Sequence, residues 1–209
     1  MELLTTGITF FQKGGIVMYV LLLCSLFVLS IGIERALYFR RMDSGRAFAR
    51  DFYLALANAK RQQAEKLADD ARGALADILF AVITKKPEAR KNPATYMEVQ
   101  SGIALAKLRK RLYYLSVIVT MAPLLGLLGT ISGMITSFSV FNLESGQATA
   151  ITGGVGEALI ATAMGLCVAI VSLAVHAYFS QRIENIVTDM EQCFSMVETA
   201  DDESKEEAA

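Results

Sequence analysis

Three long stretches without a charged side chain limit what this chain can fold into. Gly15 to Ile33 holds nineteen such residues, Leu112 to Leu143 thirty-two, and Ala158 to Gln181 twenty-four. About 20 apolar helical residues cross the ~30 Å hydrocarbon layer of a bilayer, so each stretch is long enough to span. Inside lipid the backbone must satisfy its own hydrogen bonds, which favours helices. The expected fold is therefore an all-α integral membrane protein with transmembrane helices over 15–34, 112–141 and 157–181. The hydrophobic residues, 54% of the chain with a mean hydropathy of +0.42, are concentrated in these runs. The first run is not expected to be a cleaved signal peptide. It lacks a basic leader and a small-residue cleavage site, and Glu34-Arg35 and Arg40-Arg41 follow it as an anchor.

Charge gives the orientation. Of twenty Lys and Arg residues, seventeen lie between Arg35 and Arg111, and none lies in Asn142 to Gly156. The positive-inside bias places 35–111 in the cytoplasm, the N-terminus outside and the C-terminus inside. Residues 1–14 read as a periplasmic or interfacial segment, and 142–156 as a short periplasmic connection that includes the start of the third helix. The cytoplasmic region 35–111 reads as helical, with Phe48, Phe52 and Leu56, then Leu75, Ile78, Leu79 and Val82, at helical spacing. Asn92-Pro93 has the form of an N-cap followed by proline at the first helical position. From there no breaker intervenes, and a helix is expected to run straight into the second span. Beyond the third span, Ile183, Ile186, Val187, Met190, Phe194 and Val197 form an apolar stripe, predicting a cytoplasmic extension over 182–199. Residues 200–209 are acidic and expected to be disordered. Residues 34–111 carry net +8 and residues 183–209 net −8, so helices packed below the membrane would gain from complementarity.

Thr130 lies nineteen residues after Arg111, and Thr162 lies twenty before Arg182. On antiparallel helices rising ~1.5 Å per residue, the two threonines share one level. Glu157 is five residues further out on the third span. Two readings fit it. A carboxylate in or beside hydrocarbon costs several kcal/mol and marks an ion or proton pathway, with a pKa raised by burial. Alternatively it is a helix N-terminal acid in water, favoured by the macrodipole. Five residues at ~100° turn Glu157 about 140° from Thr162, so a regular helix does not aim both at one axis. The threonines also have two readings, as pore-lining groups or as hydroxyls returned to backbone carbonyls.

Small residues recur on the same helices. Gly126, Gly129 and Gly133 run through the second span, and Ala161, Gly165 and Ala169 repeat every four residues in the third. Such residues let helices approach closely in lipid. Pro123 is expected to kink or loosen the second span. Cys24, Cys167 and Cys193 have no disulfide or metal-ligand spacing and read as packing residues. His176, near the inner end of the third span, reads as interfacial. "ITGGVGEA" lacks the Lys-Ser/Thr and preceding strand of a phosphate loop. With no nucleophile–base pair and no metal cluster, neither enzymatic activity nor a cofactor is expected. The basic segment carries no nucleic-acid motif.

"MAPLLGLLGTISGMITSF" (121–138) followed by "GGVGEALIATAMGL" (153–166) resembles the signature of the MotA/TolQ/ExbB proton channel family. "FFQKGGIVMYVLLLCSLFVLSIGIERALYF" (10–39) resembles the opening of its ExbB/TolQ branch. The resemblance implies a bacterial inner-membrane motor in which a homopentamer surrounds single-span ExbD/TolR-like partners. Each partner carries a membrane aspartate that takes and releases protons. It further implies that proton flow moves the two components relative to each other and that a TonB-like protein carries the work to the outer membrane. By motif, Thr130, Glu157 and Thr162 would line the proton path near that aspartate. Gly153-Gly154 stands where many relatives have Pro-Gly, and Ser132 where a tryptophan is common. Both departures blur the choice of branch. Three spans argue against the flagellar stator, whose members have four.

The leading expectation is thus a proton-channel subunit energising TonB-dependent transport, with a TolQ-type role in envelope constriction as the alternative. From another class, a structural membrane scaffold without proton coupling would also carry these spans. A solute channel would need a wide polar lumen, which the largely apolar second and third spans do not offer.

Overall fold

The computed structural model describes residues 15–141 and 148–206, so the N-terminal segment 1–14 and the connection 142–147 lie outside the described residues. The described residues form eight helices and no strand: α1 (Gly15–Met42), α2 (Arg46–Ala57), α3 (Arg61–Asp70), α4 (Ala74–Ile83), α5 (Pro87–Arg90), α6 (Pro93–Arg109), α7 (Leu112–Phe141) and α8 (Ala148–Glu206). Three of the helical stretches are long and apolar enough to cross a membrane. The chain divides into two compact units. One takes α1 as far as Ile33 together with Leu112–Ala177, and the other takes Glu34–Arg111 and the chain from Tyr178 on.

In the first unit α1 buries Met18, Leu21, Val28 and Ile31 and exposes Ile16, Leu23, Leu26 and Ile33. The outward apolar face is what a helix needs in lipid, where the hydrophobic effect no longer drives helices together. α7 turns Leu112, Leu115, Ile118 and Ala122 inward, and α8 turns Ala158, Ala161, Val168, Ala169 and Ser172 inward. The inward positions 158, 161, 165, 168 and 172 alternate by three and four, the spacing of one helical face. α7 continues through Pro123 without interruption.

The second unit has its own core. α2 buries Phe48, Ala49, Phe52, Ala55 and Leu56, and α4 buries Leu75, Ile78, Leu79 and Val82 among others. Against them α8 sets Ile183, Ile186, Met190, Cys193 and Val197. Cys193 is fully buried, and its Sγ lies 3.5 Å from the Ala49 carbonyl. Of the stripe read from sequence, Val187 and Phe194 stand at the flank instead, half-buried. Asn92 caps α6 by accepting from the Thr95 amide at 3.2 Å, with Pro93 in the first turn. The turn before α4 requires Gly73. Its φ is +124°, and a Cβ there would stand 2.5 Å from Ser44 Oγ and 2.8 Å from the Met42 carbonyl oxygen.

One expectation needs refinement and one correction. The helical stretch Pro93–Phe138 runs from the charged region into the second span, with its regular bonding interrupted at Lys110-Arg111, between α6 and α7. Arg35, whose side chain is only 5% exposed, sits at this interruption. Its Nη1 donates to the carbonyls of Lys107 (3.1 Å) and Leu108 (3.4 Å). Those carbonyls would otherwise receive the amides of residues 111 and 112 in a continuous helix. Glu34 fixes the clamp by accepting from Arg35 Nε at 2.7 Å and Nη2 at 2.6 Å, and it reaches Arg111 at 3.1 Å. Lys110 keeps helical dihedrals (φ −49°, ψ −35°), so the break is a local perturbation and not a loop. The acidic tail is likewise helical as far as Glu206, with 207–209 outside the described residues. Glu, Lys and Ala are strong helix formers, and Asp201 pairs with Arg61 at 3.5 Å.

Candidate functional site

α7 and α8 meet through their smallest residues. A Cβ placed on Gly129 would stand 2.6 Å from Ala161 Cβ, and one on Gly133 2.9 Å from Ala158 Cβ. A Cβ on Gly126 would stand 3.0 Å from both the Ala161 carbonyl oxygen and Thr162 Cα. On the facing helix, a Cβ on Gly165 would stand 2.5 Å from the Ala122 carbonyl oxygen and 3.0 Å from Gly126 Cα. Gly126 and Gly165 meet backbone, and Gly129 and Gly133 meet alanine methyls, close approaches that glycine permits and lipid-embedded helices use. Residue numbers rise on one helix as they fall on the other, so the pair is antiparallel. Ala169, next along the α8 stripe, is buried at 8% exposure.

Close approach brings Thr162 across to α7, where its Oγ1 donates to the Gly126 carbonyl at 3.0 Å. Thr130 is buried, and its Oγ1 donates within its own helix, to the Leu127 carbonyl at 2.6 Å. Thr130 lies four residues along α7 from Gly126, and so stands about 6 Å by helical rise from the level at which Thr162 meets that helix. Each hydroxyl spends its proton on a carbonyl and keeps lone pairs that can accept from water or a partner. Neither group titrates, so they can orient a proton carrier but not hold the charge. Glu157 lies within α8, five residues before Thr162, and its side chain falls outside the described residues.

A crevice of about 250 Å³ adjoins this contact, lined by Val17, Gly129, Ser132, Gly133, Thr136 and Ser137 among others. The Thr136 and Ser137 hydroxyls donate to the Ser132 and Gly133 carbonyls at 3.0 and 2.8 Å. Sequence reasoning also missed Ser172. It is fully buried, and its Oγ donates to the Leu115 carbonyl at 3.0 Å, a second bond from α8 to α7. The signal was present, because Ser172 continues the spacing of Ala161, Gly165 and Val168.

Long apolar helices, a glycine-tight contact between two of them and hydroxyls placed at that contact define a helical membrane protein with a polar seam among its spans. Residues 56–192 match the family model of the MotA/TolQ/ExbB proton channel family, and the chain belongs to that family. Among its relatives is the biopolymer transport protein ExbB-like 1 of Synechocystis sp., 35% identical over 170 residues, which cover 79% of this chain and 67% of that protein. ExbB-like 3 of the same organism is 34% identical over 166 residues, covering 78% and 79%. The Tol-Pal system protein TolQ of Pseudomonas aeruginosa is 34% identical over 82 residues, covering 39% of this chain and 36% of TolQ.

Proposed function

We propose that this chain is the channel subunit of a proton-driven motor in a bacterial inner membrane, of the ExbB type, energising TonB-dependent outer-membrane transport. The observation that carries the reading is the family match over 56–192, which takes in both helices bearing Thr130, Glu157 and Thr162. In this reading the chain is not an enzyme. It assembles as a pentamer around a single-span ExbD/TolR-like partner, whose membrane aspartate exchanges protons beside Glu157. Thr130 and Thr162, with hydroxyl lone pairs free to accept, orient the water or carboxyl group that hands the proton on. The basic region 35–111 faces the cytoplasm, as its charge requires.

The similarity to TolQ favours a second reading, the Tol-Pal constriction motor, with the same proton path and a different consumer of the work.

The test is Glu157→Gln, assayed for siderophore uptake driven by the proton motive force at matched protein level. Uptake is expected to fall at least tenfold with assembly intact. Wild-type uptake in a normally assembled variant would leave the chain as a scaffold. Thr130→Val and Thr162→Val extend the same assay. The interhelical bond of Thr162 is worth about 0.6 kcal/mol and the Thr130 bond stays within its own helix, so stability should barely change while uptake drops. Equal losses in stability and uptake would favour the scaffold.

A further inference from the structure

In the second unit a groove of about 410 Å³ opens between α6 and α8. Its floor is apolar, with Met97, Leu105, Met190 and Phe194, and its rim carries Glu98, Glu191 and Glu198. All three glutamates are exposed. The ion pairs of this unit lie elsewhere, at Arg35, Arg50, Arg61, Arg109, Arg111 and Arg182, and none among the described residues involves a rim glutamate. Among the described side chains, none of the cations of this unit pairs with the three carboxylates around this apolar trough. The volume lies within the ~300–1,000 Å³ range of binding pockets, and the shape suits one or two large anchors from an amphipathic helix. Flexible methionines in the floor adapt to such anchors.

We propose that this groove docks a basic amphipathic helical segment of the single-span partner, the stretch flanking the partner's membrane span on the cytoplasmic side. The inference rests on the reading of the chain as one half of a two-component motor. A single-span protein whose short end is cytoplasmic carries Lys and Arg beside its span by the same positive-inside bias. Those side chains complement the three rim carboxylates, while apolar residues one helical turn apart enter the trough. An acidic or purely polar segment would leave the carboxylates repelled or the methionines in water.

The experiment uses the full chain in zwitterionic nanodiscs. The probe is a fluorescein-labelled Leu/Lys peptide with leucines at i, i+3, i+4 and i+7, read by anisotropy. The controls are the same composition scrambled to erase the apolar face, and a Leu/Glu peptide. Saturable binding of the amphipathic basic peptide is expected, roughly tenfold weaker to the E98Q/E191Q/E198Q variant, or about 1.4 kcal/mol. E65Q/D69N/D70N removes the same charge from α3, and binding to it should match wild type. The idea fails if nothing binds the wild type, if the scrambled or acidic peptide binds equally, or if both triple variants weaken binding alike. It fails too if the rim variant lowers the mass of the assembly, because a second copy then occupies the groove. Peptide binding requires no proton transfer, so Glu157→Gln should bind normally. Loss of the proton-channel reading in the uptake assay and loss of the groove in the binding assay are thus distinguishable.

Discussion

Single side chains in this protein are governed by what surrounds them more than by their type. The three cysteines share one plain reading from sequence, yet Cys167 is exposed, Cys24 is half-buried and Cys193 is sealed in the second unit's core. Burial first, and the negative charge of Asp189 second, push the Cys193 thiol from its ordinary 9.0 up to about 12. Asp189 is itself raised by burial, against the pull of Arg46 and with a smaller push from Asp43. Only the thiolate is nucleophilic, so at pH 8 roughly 10⁻⁴ of Cys193 is reactive. With Cys24 and Cys167 replaced by serine, N-ethylmaleimide is expected to spare Cys193 in the native protein and to modify it on denaturation, read by mass spectrometry. The sign of the pH effect follows. The unfolded thiol ionises near 9.0 and the folded one near 12, so its contribution to stability is full below 9 and declines as pH rises through that window. Fast labelling of the native protein would mean that the contact between α2 and α8 opens readily.

At the scale of elements, α7 and α8 show how small residues set the register of two membrane helices. The GxxxG pair Gly129 and Gly133, with Ala161 and Gly165, was legible as a close-packing surface because small size alone permits close approach. Which residue meets which was not legible, because that depends on the rotation of each helix. The difference can be measured. A methyl group at Gly165 would press on the backbone of Ala122 and Gly126. Gly165→Ala is therefore expected to cost about 1–3 kcal/mol, the usual penalty for overpacking. Gly102, on α6, has nothing within 4 Å of its missing Cβ, and Gly102→Ala is expected to stabilise by about 0.5–1 kcal/mol through helix propensity. Reversible unfolding of the full chain in mixed micelles compares the two. Equal effects would mean that the tight contact is not maintained in the detergent-bound protein. The Arg35 clamp acts at this scale as well. The sequence reads as an unbroken helix there, and the structure adds a buried guanidinium that donates to two carbonyls where its regular bonding is interrupted.

For the whole molecule, the separation of charge is the strongest signal and contributes least to folding energy. Among the described residues the +8 and −8 segments pair at Arg61–Asp201 (3.5 Å) and at Arg109–Glu184 (3.8 Å), the latter between exposed side chains. Exposed pairs of this kind are worth about 0–1 kcal/mol. Their weight is in topology and recognition, which the orientation and groove proposals both use. In a cysteine-free background, Lys85→Cys in the exposed turn after α4 is expected to resist an impermeant maleimide in intact spheroplasts and to react once the membrane is opened. Ser145→Cys, in the connection between the second and third spans, should show the reverse. Labelling of Lys85→Cys from outside would invert the proposed topology.

Hydropathy is a sum along the chain, and so the sequence by itself determined the three spans and, through its motifs, the family. Helix type and burial period were legible for the same reason, as with Phe48, Phe52 and Leu56 on α2. Only the tertiary structure decided that Thr162 bonds to Gly126 while Thr130 bonds within its own helix. It alone revealed Ser172 reaching Leu115, Arg35 donating to the carbonyls of Lys107 and Leu108, and Met97 and Met190 flooring a groove rimmed by acids. Each of these depends on how far one helix is turned and slid against another. A shift of one residue is only ~1.5 Å of rise but about 100° of rotation, enough to exchange a hydrogen-bond partner without changing the local pattern of the sequence.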